Sequence, residues 1–160
     1  MRSVWLRSGL AVTLTAVALG LVGDSSAATR TRDPSATRAS GFVVIVNDQN
    51  AVSAMPRAQV SRYFLKKISR WDSGAVAMPV DLPADSPVRE AFTRRVLAKS
   101  VTSVKAYWQQ QIFSGREVPP PEKPSDDAVL EFVRMHAAAI AYVSPNVVLP
   151  RGVRALDVTD

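Results

Sequence analysis

The sequence predicts an α/β fold, in which helices cover an open, mixed sheet. Two apolar runs, Phe42 to Val46 and Ala139 to Val143, are typical of strands that are buried on both faces. Four segments with helical spacing lie between them. The predicted order β-α-β-α-α-α-β-β has no internal repeat and indicates a partly parallel sheet with helices packed on it.

The first half of the folded region contains the first buried strand and the first helix. Residues 42–46 form a continuous apolar run rich in β-branched side chains, which is typical of a strand in a parallel sheet. Helical spacing begins at Pro56, a residue that suits a first helical turn. The apolar stripe of this helix consists of Val60, Tyr63, Phe64 and Ile68.

The second strand alternates apolar side chains at Val76, Met78, Val80 and Leu82. Pro79 lies inside this pattern and lacks a ladder donor, so we expect a strand at the edge of the sheet. The next helix should begin at Ser86, a good capping residue, with Pro87 directly behind it.

The remaining elements are two helices and two strands. One helix covers residues 100–113, and a proline-rich connection of residues 114–124 follows, which cannot be helical. Ser125 should cap the last helix, whose apolar stripe is predicted to reach His136 and Ile140. A single final strand is predicted over residues 153–158.

The first 28 residues are predicted to be a secretory signal peptide. Arg2 and Arg7 precede an apolar core from about Leu10 to Val22, and small residues follow it. This core is shorter than the roughly 20 residues that span a membrane. An uncleaved N-terminal anchor is the alternative interpretation. Residues 29–41 are polar and lack periodicity, so we expect a flexible leader before one domain of residues 42–160.

Charge and cysteine content limit the class of protein. The chain has 20 basic and 14 acidic residues, and loss of two arginines and one aspartate with the signal peptide leaves a charge of about +5. This charge favours anionic partners. We expect no nucleic acid among them, because the domain is predicted to be exported and aromatic residues do not alternate with basic ones. Without cysteine the chain is neither a lipoprotein nor disulfide-stapled, and we expect a periplasmic protein.

The sequence gives no indication of an enzyme. It has no thiol nucleophile or thiolate metal site, because it has no cysteine. It also contains no P-loop, nucleophile elbow or dinucleotide motif. The only histidine, His136, is interpreted as a core residue or one that faces the helix dipole. We therefore expect no catalytic residue, no metal and no cofactor.

The stretch "VDLPADSPVREAF", residues 80–92, is the candidate anion site. A strand, a turn and a capped helix start leave free N–H groups that attract an anion, and the hydroxyl of Ser86 can add a donor. Arg89 lies in the first helical turn, where a basic residue is unfavourable for the helix itself. The candidate ligands are Ser86, Val88 and Arg89. The alternative is that Ser86 is only a cap and Arg89 a solvated surface residue.

The order and spacing of four stretches resemble the phosphate-binding proteins of ABC phosphate transporters, which have the type 2 periplasmic-binding-protein fold. The stretches are "FVVIVNDQNAVSAMPRAQVSRYFLKKISRW", "VAMPVDLPADSPVREAFTRRVL", "YWQQQIFSGREVPPP" and "AAAIAYVSP". The resemblance implies one lobe of that two-lobed fold, and hence phosphate or a similar oxyanion as ligand.

The resemblance also shows where this chain departs from the family. The family has an arginine at the strand end and Ser-Gly-Thr at the helix start. When Phe92 is aligned with the family's phenylalanine, Ser86 matches the serine, whereas Pro87 and Val88 replace the Gly and Thr. The strand-end arginine falls near Asp81 or Leu82. Arg89 is then at most a relocated substitute.

Two functions follow from this comparison. The first is an exported, non-catalytic domain that binds phosphate or a related oxyanion weakly and takes part in phosphate transport or sensing, with a homodimer as one way to restore a cleft. The second is a periplasmic interaction module without a ligand, which binds a membrane transporter or a sensor protein. Its basic face and the proline-rich residues 117–124 would carry recognition, unless that segment is only a stiff loop along the sheet edge.

Overall fold

The structure, a computed structural model, describes residues 41–160, and these belong to one compact unit. This part of the chain contains six strands and four helices. They are β1 Val43–Asn47, β2 Ala54–Pro56, α1 Arg57–Phe64, β3 Met78–Pro79, α2 Pro87–Val96, α3 Val101–Phe113, α4 Asp126–Met135, β4 Ala139–Val143, β5 Val153–Ala155 and β6 Asp157–Thr159. The predicted signal peptide, residues 1–28, and nearly all of the predicted leader lie outside the described residues.

The main sheet has four strands in the order β3-β4-β1-β5, and β2 pairs with β6 in a second, two-stranded sheet. Strand β1 is antiparallel to both of its neighbours, with Val44 opposite Tyr142 on β4. The β3–β4 and β2–β6 pairs are parallel. The prediction of an open, mixed sheet with helices is therefore confirmed.

The predicted parallel setting of the first strand is wrong. All five residues of β1 are buried, as its apolar run predicts, but both of its pairings are antiparallel. The physical reason is that a continuous apolar run indicates only that both faces of the strand are buried. Such a run carries no information about the direction of the neighbouring strands.

The edge position of the proline-containing strand is confirmed. Strand β3 is a terminal strand of the main sheet, and it consists of Met78–Pro79 alone. Val80 continues the pairing, because its N–H donates to the carbonyl of Ile140 at 3.0 Å. The chain thus reaches the next helix from the sheet edge.

The single strand predicted at the C-terminal end is two strands in the structure. Strand β5 pairs with β1, whereas β6 pairs with β2, a short strand that the sequence analysis missed. Between β5 and β6 lies Leu156, which is buried and donates its N–H to Val44. Three-residue strands are too short for a period of two to be recognised.

Two predicted helix ends also differ from the structure. Helix α1 ends at Phe64 and does not reach Ile68, because Lys66 has a φ of 50° in the left-handed region, which is incompatible with a helix. His136 was expected on the stripe of the last helix. It is instead the residue after α4, with an extended backbone, and Ile140 lies in β4.

The core lies on both faces of the main sheet. On one face, aromatic side chains of α1, α2 and the strands form a cluster in which Phe92 stacks on Tyr142 with ring centroids 3.9 Å apart. On the other face lies α4, and Val129 and Val133 on it are fully buried. Asn47 at the end of β1 donates to the carbonyl oxygens of Val133 and Arg134, which fixes the end of α4.

Within residues 41–160, no helix is long and apolar enough to cross a membrane.

Candidate functional site

The candidate site lies where the edge strand ends and α2 begins. After Leu82 the chain turns, and the N–H of Ser86 donates to the carbonyl of Pro83 at 2.9 Å. Ser86 is the N-cap of α2 in an extended conformation, and its hydroxyl accepts from the N–H of Arg89 at 3.4 Å. Pro87 occupies the first helical position and offers no N–H. The predicted cap is confirmed, and the proline removes one amide from the helix start.

The side chain of Arg89 is buried and does not extend into solvent. Only 6% of the residue is exposed, so the alternative of a solvated surface arginine is wrong. Side chains on a helix point toward its N-terminus, and this direction brings the guanidinium to the end of the edge strand. There it donates to the carbonyl of Leu82, to Oδ2 of Asp81 at 3.0 Å and to Oε1 of Glu122.

Asp81 is the more deeply held of the two carboxylates on Arg89. Its Oδ1 accepts from the N–H of Leu82 at 3.0 Å and from the hydroxyl of Tyr142. Glu122, in contrast, has a half-exposed side chain. Four side chains joined by these contacts form an arginine cluster: Asp81, Arg89, Glu122 and Tyr142. Within the described residues, no buried side-chain nitrogen or oxygen lacks a hydrogen-bond partner.

The electrostatics of the arginine cluster follow from burial and from the facing charges. Burial raises the pKa of Asp81 above its ordinary value, although the charge of Arg89 and the hydroxyl of Tyr142 oppose the shift. Burial lowers the pKa of Arg89, but the nearby carboxylates outweigh it and raise the pKa, so the guanidinium stays charged. Burial and the charge of Asp81 raise the pKa of Tyr142 far above its usual range, so its hydroxyl remains a donor.

The proline-rich segment, residues 114–124, passes over this site. Asp81 donates its N–H to the carbonyl of Pro121 at 3.0 Å, and Asp81 accepts from the N–H of Lys123 at 2.9 Å. These two hydrogen bonds form a parallel bridge between Asp81 and Glu122. The segment therefore lies along the sheet edge, as one of the two interpretations of the sequence proposed.

An open cavity of about 680 Å³ lies between the starts of α2 and α3. Ser86 lines it, and the polar and charged side chains opposite include Glu90, Arg94, Lys99 and Ser100. Arg94 is paired with Glu90 at 3.0 Å. Neither Val88 nor Arg89 lines the cavity, so Ser86 is the one predicted ligand that faces it.

His136 takes no part in this site. Its ring stacks on Phe132 with centroids 4.1 Å apart, and its Nδ1 lies 2.7 Å from the carbonyl oxygen of Phe132. No group of three or more His, Asp or Glu side chains among residues 41–160 is arranged to hold a metal ion.

Solved structures of phosphate-binding proteins resemble this chain. A phosphate ABC transporter substrate-binding protein from Clostridium perfringens with bound phosphate has 21% identity and a TM-score of 0.59, and the match covers 74% of this chain and 44% of that one. An ABC-type phosphate transport receptor from Vibrio cholerae has 19% identity and a TM-score of 0.56, with 74% and 46% covered. PstS from Borrelia burgdorferi has 12% identity and a TM-score of 0.59, with 75% and 47% covered.

These comparisons confirm at the level of the fold the resemblance stated from the sequence motifs. The chain spans less than half the length of each of these three proteins, which is consistent with a single lobe of such a protein. No protein-family model and no curated protein sequence matches the chain.

The sequence analysis singled out Ser86 and Arg89 but missed the partners of the arginine. Glu122 is 33 residues from Arg89, and Tyr142 is 61 residues from Asp81. The only signal in the sequence was the acid at position 81, close to where the strand-end arginine of the resembling family falls. A buried acid needs a basic partner nearby, and Arg89 provides it.

Proposed function

We propose that this chain is an exported, non-catalytic domain that binds phosphate or a related oxyanion weakly at the start of α2. The observation that carries the proposal is the position of the Arg89 guanidinium. It donates to the carbonyl of Leu82, so it lies at the end of the edge strand, where the resembling family has its arginine. It already binds two carboxylates there, and a guanidinium binds carboxylate and phosphate oxygens in the same geometry.

The proposed ligands are the hydroxyl of Ser86, the N–H of Val88 and the N–H and guanidinium of Arg89. The positive end of the helix dipole favours an anion at this point. The N–H of Arg89 donates to the Ser86 hydroxyl at 3.4 Å, so a bound anion would take this donor over from the cap. The neighbouring cavity is lined by two basic side chains, Arg94 and Lys99, and by two acidic ones, Asp85 and Glu90, so its formal charges balance and the attraction for an anion must come from the helix start itself.

The affinity is expected to be low for two physical reasons. An incoming oxyanion must compete with the carboxylates of Asp81 and Glu122 for the same guanidinium. A single lobe also leaves the anion open to solvent and to screening by salt. A homodimer could supply a second wall, and a membrane transporter or sensor protein is the proposed partner if the domain takes part in phosphate transport or sensing.

The proposal is tested by thermal unfolding of the chain with phosphate titrated against chloride and sulfate at constant ionic strength. Ligand at about 100 times its dissociation constant adds roughly 2.7 kcal/mol to the free energy of unfolding, or a few degrees in Tm. We expect a rise in Tm that is selective for phosphate. A flat response up to tens of millimolar would remove the anion site.

The matched pair Ser86→Ala and Ser125→Ala separates capping from ligand binding. Both serines are N-caps, of α2 and α4, so each replacement should cost about 1 kcal/mol of stability. Only Ser86→Ala should also reduce the rise in Tm with phosphate. An equal reduction in both variants would make Ser86 a cap and no more.

A second candidate function, a periplasmic interaction module without a ligand, is favoured by the neutralisation of Arg89. When ionised, Asp81 and Glu122 together outweigh the single positive charge of that residue. Deletion of Pro119 to Pro121 should then abolish binding to a membrane transporter or sensor, whereas Ser86→Ala should leave it intact. The opposite pattern is expected if oxyanion binding is the function.

A further inference from the structure

Glu122 is directed at Arg89 by the backbone on either side of it. The carbonyl of Pro121 accepts from the N–H of Asp81 at 3.0 Å, and the N–H of Lys123 donates to the carbonyl of Asp81 at 2.9 Å. The residue between these two anchors has its side chain on the guanidinium of Arg89. The main chain on either side of Glu122 is thus held in place, and its side chain is directed toward Arg89, in the way that a sheet ladder directs a side chain to one face.

The two carboxylates on Arg89 differ in how firmly they are held. The side chain of Asp81 is 11% exposed and also accepts from Leu82 and Tyr142. The side chain of Glu122 is 51% exposed, and its carboxylate is described in contact with Arg89 alone. Solvent screens a half-exposed ion pair much more than a buried one. Glu122 is therefore the carboxylate that an external anion can replace.

We propose that Glu122 is an intramolecular ligand of Arg89, which occupies the oxyanion position in the free chain and leaves it when an external oxyanion binds. This inference rests on the proposed function, because it concerns access to the same guanidinium. A ligand tethered through a short segment acts at an effective concentration on the order of millimolar. External phosphate must reach a comparable level before it displaces Glu122, so the tether sets the concentration range in which the domain responds.

Glu122→Gln and its matched control Glu117→Gln test this inference. Glu117 lies in the same segment and carries the same charge, but it pairs with Lys66 at 3.5 Å and not with Arg89. Phosphate is titrated calorimetrically into the full chain and both variants at constant ionic strength. We expect Glu122→Gln to lower the dissociation constant about tenfold, since a competing charged hydrogen bond is lost, and Glu117→Gln to leave it unchanged.

Glu122→Asp provides a second variant that keeps the charge of the segment. Its carboxylate is one methylene shorter, so it should reach Arg89 less well and also tighten phosphate binding, by a smaller factor than Glu122→Gln. Circular dichroism establishes that each variant is folded before it is titrated.

The outcomes separate this inference from the proposed function. If the wild-type chain binds phosphate and both Glu122 variants bind it equally or more weakly, the intramolecular ligand is refuted and oxyanion binding stands. If neither the wild-type chain nor Glu122→Gln binds phosphate up to tens of millimolar, both are refuted. If both Glu122 variants bind phosphate more tightly than the wild-type chain and Glu117→Gln does not, the intramolecular ligand and oxyanion binding are both supported.

Discussion

The guanidinium of Arg89 on α2 donates to the carboxylate of Asp81 at 3.0 Å and so joins the helix start to the end of the edge strand. Both side chains are buried, with exposed fractions of 8% for Arg89 and 11% for Asp81. Neither charge could be accommodated there alone, because a buried charge needs a partner and hydrogen bonds. The pair therefore fixes the strand-to-helix junction, whether or not an anion binds to it.

Arg89→Ala should lower the free energy of unfolding by about 3 kcal/mol, because it leaves the buried carboxylate of Asp81 without its cation. Arg94→Ala is the matched control on the same helix. Arg94 also pairs at 3.0 Å, with Glu90, but both side chains are well exposed, so the change should stay below about 0.5 kcal/mol. Urea unfolding measures both values, and equal losses would contradict the structural role assigned to Arg89.

Phe92→Ala should cost about 3 to 5 kcal/mol of stability, because it opens a cavity against Tyr142 in the centre of the aromatic cluster. Phe92 is 1% exposed, whereas Phe113 at the end of α3 is 90% exposed. Phe113→Ala should therefore change the free energy of unfolding by less than about 0.5 kcal/mol. Comparable Tm losses in the two variants would contradict the packing described for α2.

The alkaline behaviour of the chain should depend on Tyr142. Burial raises the pKa of its hydroxyl far above the ordinary value of 10.0, and the charge of Asp81 adds to the shift. In the unfolded chain the group loses its proton near that ordinary value. The stability due to Tyr142 is thus fully present below about pH 10 and is lost as the pH rises toward the folded pKa.

Tyr142→Phe tests this dependence. The folded variant should show the same phenolate absorbance on alkaline titration as the folded wild-type chain, because Tyr142 stays protonated in the folded state. It should also make the decline in unfolding free energy above about pH 10 shallower than in the wild-type chain. A loss of one tyrosine's share of the folded-state phenolate signal in the variant would show that Tyr142 ionises in the folded chain. That result would contradict the protonated Tyr142 hydroxyl described here, which donates to Asp81.

The elements that the sequence predicted well are those fixed by local chemistry. The caps Ser86 and Ser125 and the edge position of Pro79 follow from single residues, and the structure confirms them. The buried strands β1 and β4 follow from apolar runs. Each depends on residues within a few positions of one another, so a reading along the chain is sufficient.

The features that the sequence did not predict depend on distant contacts. The direction of β1 relative to β4 is set by how the chain returns after almost a hundred residues, and the apolar run does not encode it. The site was predicted only as far as Ser86 and Arg89. That Arg89 is buried follows from Asp81 and Glu122 together, and the second of these comes from a loop whose path the sequence does not determine.

The most direct test of oxyanion binding at the start of α2 is a titration of the isotopically labelled chain with phosphate, followed by amide NMR spectra at constant ionic strength. The account predicts saturable shifts of the amide signals of Ser86, Val88 and Arg89 with phosphate and none with chloride. Shifts that spread evenly over the basic surface, or that are as large with chloride, would contradict a site at this helix start.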